Sequence, residues 1–171
     1  TILQAVMERL GAKTAYLLIV QNDTLNLVAK AEKQAHIKVQ LPEDQVIDSG
    51  DLSYAIINYV HHTSEELVLE NAAYIGDFIS DPLVQKQQLK SILCVPLIIQ
   101  NKVLGVLYLE NKLIEAVFTV EQVELTKLLT AQAAIALQNT LLLQAMQQRE
   151  QEIKLLNKTL ELRVEQRTED L

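Results

Sequence analysis

The chain has 171 residues, 49% hydrophobic and 22% charged, enough for one domain with a proper core and too apolar for disorder away from its ends. A net charge of −7 with no basic patch argues against nucleic acid as a partner, and no run of about twenty apolar residues could span a membrane. The single Cys94 excludes an intramolecular disulfide and points to a reducing, cytoplasmic compartment.

In chain order, Ile2, Val6, Met7 and Leu10 fall at helical spacing, and Gly11 is a stop signal. Residues 15–20, AYLLIV, form an apolar run of strand length, QNDT reads as a turn, and LNLVAKAE alternates, with Leu25, Leu27 and Ala29 or Val28 inward. His36 to Leu41 alternates through Ile37, Val39 and Leu41, giving three antiparallel strands in sequence order. Pro42 to Gly50 reads as loop.

LSYAIINYVHH fits helix or strand by periodicity alone. Its length, a cap at Asp51 or Ser53, and a shared face of Ile56, Ile57 and Val60 favour helix. Leu67 to Leu69 makes a short strand. Asp81-Pro82 reads as a cap with Pro at the first helical position, opening a short helix through Gln88.

The run SILCVPLIIQNKVLGVLYLEN, residues 91–111, is a hairpin broken at Gln100-Asn101-Lys102. Its strands do not alternate. Ile92, Cys94 and Ile98 oppose Leu93, Val95, Leu97 and Ile99, and Val103, Leu107 and Leu109 oppose Leu104, Val106 and Tyr108. Apolar residues on both faces require a sheet covered on both sides. The terminal helices can cover one face and the segment from Asp51 to Gln88 the other. The fold class expected is therefore α+β, a central antiparallel sheet with helices on both faces. A cavity between the middle segment and the sheet is the natural place for a small ligand.

Thr119 and Gln122 match a capping box, and no Gly or Pro follows. The helix is apolar over a wide arc to about Leu143. From Gln144 it turns polar around a narrow seam of Leu142, Met146, Ile153, Leu156, Leu160 and Val164, interrupted by Arg149. Steps of three and four are coiled-coil spacing, and Leu156 to Leu160 to Val164 is an inserted stutter. A parallel homodimer would bury this seam; the other reading is an isolated, solvated helix. Residues 1–143 and 144–171 thus divide into a domain and a coiled-coil linker helix. The chain lacks a starting Met and ends in helical pattern, so both ends read as cut from a longer protein.

These residues carry a family resemblance. SILCVPLIIQNKVLGVLYLEN followed by FTVEQVELTKLLTAQAAIALQN resembles the C-terminal half of a GAF domain. More narrowly, it is similar to the GAF domains of large bacterial multi-sensor signalling kinases, in which S-[IV]-L-C-x-P-L, G-[VI]-L-Y-L-E-N, F-[ST] and L-L-x-x-Q-A-A-I-x-[IL]-x-N recur. The tail LELRVEQRTEDL resembles the linker leading into PAS or histidine-kinase modules. The resemblance implies a dimeric sensory domain of a two-component or hybrid kinase that passes a signal along its terminal helices. It names no ligand or cofactor. A ligand-free dimerisation scaffold is the alternative.

Bilin attachment commonly needs a Cys followed by His, whereas Cys94 precedes Val95 inside an apolar strand and reads as a small hydrophobe. The sulfoxide-reductase branch uses several cysteines. The cyclic-nucleotide signature N-K…F-x₃-D-E meets Asn111-Lys112 and Phe118 but then Gln122-Val123, so its ion pair cannot form. His61-His62 read as helix-end residues rather than haem or metal ligands. No nucleophile–base or phosphate-loop motif is present, so this stretch is expected not to be an enzyme. The polar residues expected at a ligand pocket are Tyr54, Asn58, Asn71, Tyr74, Asp77 and Ser80, each of which could instead serve packing, caps or turns.

Overall fold

The computed structural model describes residues 2–33, 37–40 and 51–169, with the backbone alone for residues 2 and 37–40. The order is α1 (Ile2–Leu10), β1 (Thr14–Gln21), β2 (Thr24–Lys33), β3 (Ile37–Gln40), α2 (Tyr54–Thr63), β4 (Leu67–Leu69), α3 (Pro82–Gln87), β5 (Ser91–Ile99), β6 (Lys102–Asn111) and α4 (Val120–Glu169). This is the succession expected from the sequence. His36, Leu41 and the loop from Pro42 to Gly50 lie outside the described residues.

The described strands form one six-stranded antiparallel sheet in the order β3-β2-β1-β6-β5-β4. Two-residue turns at Asn22-Asp23 and Gln100-Asn101, all at positive φ, close the β1–β2 and β5–β6 hairpins. Positive φ at both central positions matches the right-handed twist of the flanking strands. Gly11 (φ 70°) ends α1 as expected.

Two register shifts decide which side chains face which layer. Leu17 pairs with Ala29 but Leu18 with Leu27, so Val28 is an extra residue in β2. Leu25 and Leu27 therefore pack beneath α2, while Ala29 and Ala31 are buried on the opposite face. Leu97 pairs with Gly105 but Ile98 with Val103, so Leu104 is extra in β6. Val103 consequently joins Val106 and Tyr108 on the α2 face rather than Leu107 and Leu109. The alternation expected for β6 is corrected there, because one inserted residue reverses parity.

The α2 face is filled by Tyr16, Leu18, Ile92, Cys94, Val106 and Tyr108 against Leu52, Ile56, Val60 and Val84. α1 packs against β1 and β2 through Leu3, Val6, Met7 and Leu10. The first turns of α4 bury Val123, Thr126, Thr130 and Ala134. The buried Thr126 and Thr130 hydroxyls donate to the Gln122 and Lys127 carbonyls of their own helix, which leaves no donor stranded. Helices thus cover both faces, and the doubly apolar hairpin is buried throughout most of its length.

The chain forms two compact units, Thr1–Ala134 and Ile135–Leu171. The second is a stretch of α4 exposed at every described side chain except Leu137. Among the described residues no helix is long and apolar enough to cross a membrane.

Candidate functional site

The middle layer is held by its caps. Ser53 accepts from the Ile56 amide at the start of α2, as one of the two expected caps. Asp81 Oδ1 accepts from the Leu83 and Val84 amides (2.9 and 3.0 Å) and so caps α3 as expected. The two caps also meet, since Ser53 Oγ donates to Asp81 Oδ2 at 2.7 Å. That bond fixes α2 to α3 over the sheet.

The six expected pocket residues lie in three places. Tyr54 and Asn58 line a cleft of about 290 Å³ with Asp23, Thr24, Leu25, Ile57, His61 and His62, between the β1–β2 turn and α2. Asn71 is buried, and its backbone carbonyl accepts from the Tyr74 and Ile75 amides in a turn. Tyr74 is exposed; its hydroxyl donates to Gln88 Oε1 (3.0 Å) and Lys90 Nζ lies 5.1 Å from its ring centre. Asp77 and Ser80 are exposed in the segment before Asp81.

The His pair closes α2. The rings stand edge to face at 5.2 Å, and His62 Nδ1 lies 2.7 Å from the Asn58 carbonyl. Loss of hydration, then the charge of His62, lowers the pKa of His61. Among the described residues no three His, Cys, Asp or Glu side chains converge as a metal would need.

A polar cluster under the middle layer was not singled out from the sequence. Lys30, Tyr16, Tyr108 and Cys94 lie side by side across four strands on the α2 face, and Glu32, Thr14, Glu110 and Ile92 form the next row. Tyr16 and Tyr108 stack edge to face at 5.9 Å, with Lys30 Nζ 5.5 Å from the Tyr16 ring centre. Lys30 Nζ also donates to Asp51 Oδ2 (3.1 Å) and pairs with Glu32 Oε1 (2.9 Å), which ties β2 to the segment ahead of α2.

Glu110 is 0% exposed, and although the neighbouring Thr14 hydroxyl reaches toward it, neither carboxylate oxygen has a well-formed hydrogen-bond partner. The Tyr108 hydroxyl is likewise buried without one. Lys112 Nζ stands 3.7 Å from Glu110 Oε1. Loss of hydration pushes the Glu110 carboxyl up to about 7, against the opposing pull of the Lys112 and Lys30 charges and of Thr14. Burial, then the neighbouring carboxylates, raises the Tyr16 phenol; burial, then Glu110, raises that of Tyr108. The sequence signal for this cluster was parity, because Glu110 is two residues from Tyr108 and so shares its face.

Cys94 is fully buried, and burial alone pushes its thiol well above the usual range, which leaves it an unreactive hydrophobe. Asn111 Oδ1 accepts from the Leu113 and Ile114 amides and its Nδ2 donates to the Gly11 carbonyl, so this residue opens the loop and ties it to the end of α1. Thr119 and Gln122 make the expected reciprocal capping box.

The GAF domain family matches residues 1–137, most of the chain. The chain belongs to the GAF domain family. It is 36% identical over 89 residues to hybrid signal transduction histidine kinase G of Dictyostelium discoideum, a stretch that is 52% of this chain and 3% of that protein. This relative is not bacterial, so it lends no support to the bacterial origin that the resemblance implied. The photoproduct state of a GAF domain from Synechocystis is similar in fold, with a TM-score of 0.65 at 15% identity, covering 85% of this chain and 94% of the other. A type II free methionine-R-sulfoxide reductase from Thermoplasma acidophilum shares the fold with a TM-score of 0.54 at 13% identity, covering 77% and 83%. The GAF fold thus occurs in catalytic and signalling proteins alike, and the single buried Cys94 lacks the cysteine pair that disulfide-based reduction needs.

Proposed function

We propose that this GAF domain is a non-catalytic sensory module of a cytoplasmic signalling kinase, working as a parallel homodimer joined through α4. The observation that carries this reading is the seam. Leu142, Met146, Ile153, Leu156, Leu160 and Val164 are more than half exposed on the single chain, and they are spaced as coiled-coil core positions. Apolar residues at that spacing on an otherwise polar helix gain stability by pairing. The same spacing runs back through Ile135 and Leu128, which are also exposed. A small molecule bound beneath or beside α2 would bias the middle layer. The two arrangements of the paired helices would carry that bias to a PAS or histidine-kinase module of the same chain. The stutter at Val164 lowers the preference for one register.

The ligand-free scaffold is favoured by one observation. The α2 face is filled by its own side chains, with Tyr108, Ile92 and Ile56 all fully buried. Two measurements separate the readings. Sedimentation equilibrium of residues 1–139 and 1–171 is expected to give a monomer and a dimer, and two monomers would refute the seam. A thermal-shift screen of small metabolites on residues 1–171 is expected to find a saturable rise in melting temperature if the module senses a ligand. A uniformly flat screen with an intact dimer would select the scaffold.

A further inference from the structure

We propose that Glu110 is a proton-binding site through which pH near neutrality controls how firmly the middle layer is held over the sheet. This input is separate from the small-molecule sensing and dimerisation proposed above. A buried carboxylate without a well-formed hydrogen bond is unfavourable, and two such oxygens on one side chain call for an explanation. Protonation supplies it, because the neutral carboxyl loses far less on leaving water than the anion does.

The groups facing Glu110 come from every neighbouring element. Lys112 follows just beyond the end of β6, Tyr108 precedes it on β6, Thr14 and Tyr16 lie on β1, Lys30 and Glu32 on β2, and Asp51 ahead of α2. Lys30 is the pivotal neighbour. It bridges Glu32 and Asp51, and Asp51 lies two residues before the Ser53 cap. When Glu110 loses its proton, the new charge attracts Lys112 and Lys30. Every step of Lys30 toward Glu110 weakens its hold on Asp51. Proton release therefore loosens the tie between β2 and the start of α2, and proton uptake restores it. The carboxyl pKa near 7 puts this exchange in the physiological range.

The sign follows from linkage. Between pH 4.5, the ordinary glutamate value, and about 7, the folded chain holds a proton that the unfolded chain has released, so stability falls as pH rises through this window. The test is hydrogen exchange at the α2 amides of the full chain at pH 5.5 and 8.5, corrected for the intrinsic pH dependence of exchange. Protection of Ile56 to Val60 is expected to fall about tenfold or more at the higher pH. In E110Q the fall should be smaller than in the native chain by about tenfold or more, because Gln cannot titrate. His61 and His62 are present in both proteins, so the difference between the two reports Glu110. K112M removes a charge that favours ionisation from an exposed position, so it keeps the fold and should shift the transition upward by about half a pH unit. Equal protection at both pH values in the native chain would overturn the proposal. So would a response in E110Q as large as the native one, or a native response that K112M does not move.

Discussion

Glu110 shows how one side chain can set a pH dependence for a whole domain. Its displacement from 4.5 to about 7 corresponds to about 3 kcal/mol that the folded state loses as the pH climbs through that interval. Urea denaturation at pH 5 and pH 8.5 should show E110Q gaining on the native chain by up to this amount at the higher pH. Gly105 is a second residue with a sharp requirement. A Cβ there would sit well inside contact distance of the Leu18 carbonyl oxygen, on the backbone of the neighbouring strand. Gly105→Ala should cost about 1–3 kcal/mol, read as a lowered denaturation midpoint at unchanged slope. Neither residue announced itself in the sequence. Glu110 stands next to last in the motif LYLEN, a polar residue near a strand end where exposure is the ordinary outcome, yet β6 continues through Asn111. Gly105 looks like one more small residue in an apolar run, and only the pairing of β1 with β6 brings the Leu18 carbonyl beneath it.

At the scale of elements, the order, the caps and the two-sided cover were legible. Apolar periodicity separated α4 from the strands, Asp81-Pro82 and Thr119-x-x-Gln122 marked helix starts, and the lack of alternation in residues 91–111 required two covering layers. What escaped was parity after an inserted residue. Val28 and Leu104 are ordinary apolar residues in strand runs, and nothing local shows that each stands unpaired. The joining of Ser53 to Asp81 escaped for a related reason, since two caps 28 residues apart meet only when α2 and α3 share a layer. Asp81→Ala removes three hydrogen bonds, two of them to backbone amides, and should destabilise the chain by about 2 kcal/mol. Ser53→Ala should cost about 1 kcal/mol. The double variant should fall short of the sum, because both single changes break the shared bond.

For the whole molecule, the expected pocket residues were legible only as polar positions on the covering segment, and they lie in three places. The buried polar cluster instead uses strand residues, Lys30 and Glu110 among them, that the sequence reading did not single out. The long helix was easy to read because it is long and because its seam is narrow. Met146 and Ile153 stand one heptad apart, with Arg149 between them as a polar layer of the kind that fixes register at some cost in stability. A parallel, in-register pair sets each seam residue against its own copy, whereas an antiparallel pair does not. The most direct measurement is oxidative cross-linking of Ile153→Cys, with the fully buried Cys94 kept out of reach of the oxidant. The parallel dimer is expected to convert nearly completely to a disulfide-linked species through residue 153. A chain that stays uncrosslinked and sediments as a monomer at high concentration would contradict it.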